Sequence, residues 1–434
     1  MAVTSLNKLS AFEVARRIAS GETTAVAVTE ACLERIEACD DAVRAWAYID
    51  GELALQQAQA CDNKAPKGAL HGVPLGVKDI IDTQDMPTQM GSPVYAGYRP
   101  GADAACVAQV RNAGAIILGK TVTTEFAGSH PGPTANPQDL NYSPGGSSSG
   151  SAAAVADYMV PAAFGTQTGS SILRPSAYCG VIGYKPTFGT YNIAGVKAAA
   201  HSLDTLGLHV RDIDDIQLLT SVLVNRSLAP LPLPTGGPRI GLCRTPLWDS
   251  AQPETKAAVE DAGVRLSQAG AAVHDINMPE AYSHLEDVRI LINCYERSRH
   301  MINEWHDYRD LLSDRFCAVM ETGLGLPYEE YVAGMRMTED CRQNSDALFE
   351  DLDVLLTPCV DGEAPRGLED GGNPRFAGFW TAIRLPTISL PTHSGPNGLP
   401  VGIQLVGRYR DDDRLLSVAK WVIETLRAPS SCLV

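Results

Sequence analysis

No Cys-x-x-Cys pair occurs in this sequence, and its eleven cysteines are scattered singly. An odd set of isolated thiols in a chain of 434 residues argues against a disulfide framework and a cysteine zinc site. It fits a reduced, cytoplasmic protein. The nine histidines form no His-Glu-x-x-His pattern, so no metal is expected, and no cofactor is called for. Long apolar runs of about 18 residues are missing, which argues against a spanning helix. The opening "MAVTSLNKLSAFEVARR" lacks a basic start followed by an apolar run, so no signal peptide is expected. Positive charge is short: 35 Lys and Arg face 51 Asp and Glu, a formal net charge of −16. Phosphate binding needs a basic surface, and an anionic membrane repels an acidic one. Neither nucleic acid nor membrane is therefore expected as a partner, and the acidity reads as solubility.

What is present is ordinary for a globular protein. Hydrophobic residues make up 44% and charged residues 20%, and the length allows a large buried core. Residues 9–60 carry apolar positions at helical spacing. Ser10 and Glu13 have capping-box spacing, and Thr23 or Thr24 can cap the next segment. The run "HGVPLGVKDII" (71–81) predicts a buried strand. Helix-then-strand patterns follow at 106–121 and 151–168. Residues 240–350 are helix-rich and charged. Strand-like segments return at 353–360, 386–392 and 400–407, before a last helix at 411–426. Alternating helices and strands predict an α/β architecture. Strands at both ends of the chain favour one domain over 1–434, with the helical region as a layer over the sheet.

The stretch "SPGGSSSGSAAAVA" (143–156) invites several readings. A flexible linker would not run straight into a strongly apolar segment. A phosphate loop needs a lysine after the last glycine, and none follows Gly150. A hydrolase elbow of the Gly-x-Ser-x-Gly type must follow a strand, whereas "QDLNYSP" is polar and contains Pro144.

A fourth reading joins it to Lys78 in "HGVPLGVKDI" and Ser171 in "GTQTGSSILRPSAYCGVIGYKPTFG". With "GAIILGKTVTTEFA", "LLTP" and "LPTISLPT…NGLPVGIQLVG" in order along nearly the whole chain, the set resembles the amidase signature family of serine hydrolases. That resemblance implies a single α/β domain with a large mixed β-sheet covered by helices on both faces. It places a catalytic core at 65–220 and a pocket cover at 240–350. It implies Ser171 as nucleophile, Ser147 after a cis Gly146–Ser147 peptide as the proton bridge, and Lys78 as base. Thr168, Gly169, Ser170 and Ser171 would offer backbone N–H groups as the oxyanion hole. The family usually has glycine where this chain has Ser170; the register to Ser147 and Pro175 selects Ser171 over its neighbour.

The chemistry suits these residue types. An amide needs an activated nucleophile, oxyanion stabilisation and a proton for the departing amine. Lysine is a base only when neutral, so burial must lower its pKa. Arg174, in "S-x-x-R-P", is similar to the arginine by which malonamidases meet a substrate carboxylate; a loop-tying role stands beside that reading. His130, just before the relay loop, is a candidate for the pocket wall; His71 reads as structural. Lys120 and Glu125 read as scaffold, and Arg384 occupies a position where glycine is usual in the family. The expected activity is hydrolysis of a C–N bond in a small amide or carbamate through an acyl-serine. The alternative is a protein like the A-type subunit of an amidotransferase, releasing ammonia for a complex that acts on charged tRNA. The expected partner is the small-molecule substrate, with a homodimer left open.

Overall fold

The computed structural model describes residues 5–128, 130–231 and 236–427. One mixed sheet of eleven strands organises them. In chain order they are β1 (Trp46–Ile49), β2 (Pro74–Lys78), β3 (Ile116–Thr121), β4 (Ala162–Gln167), β5 (Ile182–Lys185), β6 (Thr205–Val210), β7 (Arg239–Cys243), β8 (Ala272–Ile276), β9 (Val354–Pro358), β10 (Thr387–Ser394) and β11 (Pro400–Val406). Across the sheet the order is β1-β3-β2-β4-β6-β5-β10-β11-β9-β7-β8. The single α/β domain covered by helices is the architecture expected.

The central strands explain the sequence pattern. β2 lies parallel to both β3 and β4, and every residue of these three strands is buried. Strands covered on both faces read as continuous apolar runs, as 71–81 does. Ser10 Oγ accepts from Glu13 N at 3.2 Å, and Thr24 Oγ1 accepts from Ala27 N at 3.1 Å, so both helix starts are capped as the spacing predicted. Other elements were hidden. β1 lies inside the stretch read as helical, and β7 and β8 lie inside the charged 240–350 region. β8 is a largely exposed edge strand, so burial leaves no alternation in it to read. β5 and β6 are short central strands with no turn dipeptide to announce them.

Arg384 has φ of 63°. Its backbone occupies the left-handed region, which glycine enters without steric cost; that explains why glycine is usual there. Its Nε donates to Ser202 O at 3.2 Å, and its guanidinium lies over the Phe188 ring. Among the described residues no helix is long and apolar enough to cross a membrane.

Candidate active site

Parallel pairing places the carboxyl ends of β2 and β4 side by side, the position where open α/β sheets form clefts. Register pairs Val77 with Phe164, so Lys78 ends β2 beside Thr166. Lys78 is 0% exposed. Its Nζ donates to Ser147 Oγ at 2.7 Å and to Thr166 Oγ1 at 2.8 Å. Burial pushes its pKa well below the ordinary lysine value; Arg297 adds to that and Asp204 opposes it. Burial thus works in the direction of the neutral amine, the form that carries a lone pair.

The Gly/Ser stretch is packed against this lysine, not flexible. Gly146–Ser147 is cis. Ser147 O accepts from Thr124 N at 3.1 Å, and Ser148 N donates to Ser171 O at 3.2 Å. These bonds set Ser147 and Ser148 beside the backbone of Ser171. The helix Ser149–Ala156 then starts at once, with residues 149–155 all buried. Gly150 is required by contact: a Cβ there would meet Ala45 O at 2.1 Å and Val122 N at 2.4 Å. So the crowding of small residues reflects close backbone approach. Lys78 and Ser147 are joined by a hydrogen bond; among the described hydrogen bonds Ser171 Oγ has none, and it faces a cavity.

The loop 168–171 is held from outside while its own N–H groups stay open. Gln167 Oε1 accepts from Ile172 N at 2.9 Å and Leu173 N at 3.1 Å, satisfying the start of helix Leu173–Cys179. Thr168 Oγ1 donates to buried Asp204 at 2.6 Å, and Thr381 Oγ1 donates to Gly169 O at 2.7 Å. The backbone N–H groups of Thr168, Gly169, Ser170 and Ser171 have no acceptor among the described hydrogen bonds. Four unpaired donors beside a serine hydroxyl can receive a developing oxyanion. Ser170 is not among the residues with positive φ, so the loop does not demand the glycine usual there.

The cavity, of ≈ 260 Å³, is lined by Ser171, the 168–171 loop, Gly145 and Gly146. It is also lined by Arg289, Asn293 and Arg297 of helix Leu285–His300 and by Phe316 of helix Asp314–Gly325. Arg174 lines it too, but its Nε and Nη2 donate to Gly146 O at 3.2 and 2.7 Å, and Nη1 donates to Gly372 O. It therefore clamps the carbonyl of the cis peptide and retains two N–H groups for other acceptors. The structure does not bring His130 to the cavity: it is exposed, while Pro131 and Gly132 line the wall. No histidine is among the described lining residues. Buried His209, on β6 alongside β4, has its Nδ1 2.8 Å from Ser176 Oγ, and burial pushes its pKa down to about 3.

Lys120 and Glu125 are framework residues. Lys120 Nζ lies 3.2 Å from Asp79 in a buried pair. Glu125 accepts from Ser313, the cap of helix Asp314–Gly325. Sequence reading missed Thr166, Gln167, Asp204 and the three cavity residues of helix Leu285–His300. The last had a signal: they recur every four residues in a polar helix.

A buried lysine–serine pair under a loop of open N–H groups, in this α/β sheet, has the parts of a hydrolase that works through serine. The chain belongs to the Amidase family, the amidase signature hydrolases: that family's model matches residues 27–416. A curated relative, the A subunit of glutamyl-tRNA(Gln) amidotransferase from Salinispora arenicola, is 33% identical and aligns over 96% of this chain and 97% of its own length. A crystal structure of an amidase superposes with TM-score 0.88 at 29% identity, over 95% of this chain and 99% of that one. The peptide amidase of Stenotrophomonas maltophilia superposes with TM-score 0.83 at 26% identity, over 97% of each.

These relatives correct one expectation. Partners were expected to end at a small molecule, with nucleic acid excluded by acidity. The curated relative is by name one subunit of an enzyme for glutamyl-tRNA(Gln), so acidity does not license that exclusion. The net charge of one chain bounds what its own surface attracts. It says nothing of what neighbouring subunits hold.

Proposed function

We propose that the chain hydrolyses the C–N bond of a small amide through an acyl-Ser171 intermediate. The observation that supports this best is the buried Lys78–Ser147 contact of 2.7 Å beneath the 168–171 loop. Ser171 Oγ attacks the amide carbonyl and passes its proton to Ser147 Oγ. Ser147 passes its own proton to neutral Lys78 Nζ. The N–H groups of the loop hold the oxyanion. The lysine proton returns through Ser147 to the leaving nitrogen, which departs as ammonia or an amine. Water then attacks the ester by the same relay, releasing the acid and restoring Ser171.

A second reading is favoured by the name of the curated relatives. The chain is then the A-type component of an amidotransferase, and the nitrogen it frees passes to a tRNA-bound acceptor on another component of the complex. The alignment to the Salinispora arenicola protein runs over 477 positions against 434 residues here, so that relative carries segments this chain lacks. Both readings share the first half of the chemistry. The test is ammonia release by the purified chain from a panel of amides, carbamates and ureas, with Ser171→Ala as control. Turnover by the isolated chain, lost in Ser171→Ala, supports the free-standing hydrolase. Turnover only with co-purified subunits supports the second reading, and turnover retained by Ser171→Ala removes the nucleophile from both.

A further inference from the structure

Thr381 stands 212 residues beyond Gly169 in the chain and touches it directly. It belongs to helix Arg375–Ala382 and is 1% exposed. Its hydroxyl has three polar neighbours. Gln167 Nε2 donates to it at 3.0 Å, Gly169 O lies at 2.7 Å and Ala377 O at 3.0 Å. The direction of the first bond is set elsewhere. Gln167 Oε1 accepts from Ile172 N and Leu173 N at 2.9 and 3.1 Å, which turns the amide nitrogen toward Thr381. A hydroxyl that accepts from Gln167 has a single hydrogen to give, and two carbonyls compete for it. Ala377 O is one turn back in the same helix, where the backbone ladder supplies a donor. Gly169 O is the nearer, and it has no other donor among the described residues. A carbonyl left without a donor in a buried loop is costly, so the hydrogen belongs on Gly169 O.

That bond fixes more than a carbonyl. Among the described residues only Gly146–Ser147 is cis. Gly169 O and Ser170 N–H therefore share one planar trans peptide and point in opposite directions. With Gly169 O drawn to helix Arg375–Ala382, Ser170 N–H is turned away from that helix, and it has no acceptor among the described hydrogen bonds. Gly169 and Ser170 line the cavity beside Ser171. Glycine brings no side chain to restrain this peptide. Rotated by half a turn, the peptide would show the cavity a carbonyl, which repels an oxyanion, in place of a donor.

We propose that Thr381 is a positioning residue: braced by Gln167, its hydroxyl locks the Gly169–Ser170 peptide so that Ser170 N–H meets the developing oxyanion. This rests on the hydrolase reading above. Neither Thr381 nor Gln167 lines the cavity, so both act through the peptide.

The purified chain is compared as wild type, Thr381→Val, Thr381→Ala and Thr381→Ser, with urea midpoints to correct each rate for unfolded protein. Valine keeps the shape without the hydroxyl, alanine leaves room, and serine keeps the hydroxyl. The first readout is the rate of modification of Ser171 by phenylmethanesulfonyl fluoride, followed by mass spectrometry with Ser171→Ala as blank. That reagent forms an O–S bond to Ser171 Oγ and expels fluoride, while a sulfonyl oxygen takes the oxyanion position. The second readout is kcat and KM on whichever amide of the panel the wild type hydrolyses. Modification rate and kcat should fall about 10- to 100-fold in the valine and alanine variants, with KM within about threefold of wild type. Thr381→Ser should keep both rates within about threefold. Unchanged rates in Thr381→Val and Thr381→Ala overturn the role. A loss carried by KM, or one that Thr381→Ser shares in full, overturns it too, because a packing role needs no hydroxyl. Modification of Ser171 in the wild type with unchanged variants refutes Thr381 and leaves the hydrolase reading. A wild type neither modified at Ser171 nor active on any amide refutes the hydrolase reading, and the Thr381 role with it.

Discussion

Replacing Lys78 with methionine tests the proposed base separately from the fold. Methionine keeps an unbranched chain of similar length but loses the lone pair and the bonds to Ser147 and Thr166. Loss of a positioned base slows the chemical step by about 10²- to 10⁴-fold, or about 3 to 5 kcal/mol in the barrier. Wild-type activity should fall on acidification, as the amine of depressed pKa takes up a proton and can no longer accept one from Ser147. The residual activity of Lys78→Met should lack that limb. Stability gives an independent reading. The folded pKa lies below the unfolded value of about 10.4. Between the two, the unfolded chain binds a proton that the native state does not. Wild-type stability therefore rises with pH across that window, by up to about 1.4 kcal/mol per unit from this group. The methionine variant has no such term. Its stability relative to wild type should fall as pH rises toward the unfolded lysine value of about 10.4, read by urea unfolding. A constant gap, or a variant rate within tenfold of wild type on a substrate amide, would refute the neutral-base reasoning.

The remaining predictions concern the loops around that base. Gly150→Ala drives a Cβ into Ala45 O and Val122 N, both backbone atoms with nowhere to go. It should cost about 3 kcal/mol, seen as a lowered urea midpoint; an unshifted midpoint contradicts the close approach. Thr168→Val leaves buried Asp204 short of the donor now at 2.6 Å. Stability should drop by about 1–3 kcal/mol and kcat should fall with the loosened loop, whereas an unchanged kcat removes Thr168 as a loop anchor. Arg174→Ala frees the Gly146 carbonyl from two donors. The kcat should fall for neutral amides as well as acidic ones, and an effect confined to acidic amides shows carboxylate recognition to be its whole task.

How much of the site was legible depended on spacing. Lys78, Ser147 and the 168–171 loop lie in long, ordered motifs whose residue types match one chemistry. Arg174 was found too, but its bonds to Gly146 O and Gly372 O were not, because the second comes from a segment 198 residues away. His130 was drawn in by its nearness in sequence to the relay loop, and it points to solvent instead. Asp204 was missed because a lone aspartate outside any motif shows nothing until Thr168 meets it. β7 and β8 were missed because a five-residue strand among charged helices leaves too few residues for a period.

By itself the sequence determined the α/β class, since buried parallel strands must be continuous apolar runs and these alternate along the chain with segments of helical pattern. It also determined which small and hydroxyl residues could share a crowded backbone. Only the tertiary structure decided that Lys78 is dry, because burial is contributed by chain segments remote from it. Only the tertiary structure set Arg289, Asn293 and Arg297 of a motif-free helix in the wall of the cavity that Ser171 lines. The face a helix turns to a cavity is chosen by what packs around it, and the nature of the pocket was settled there.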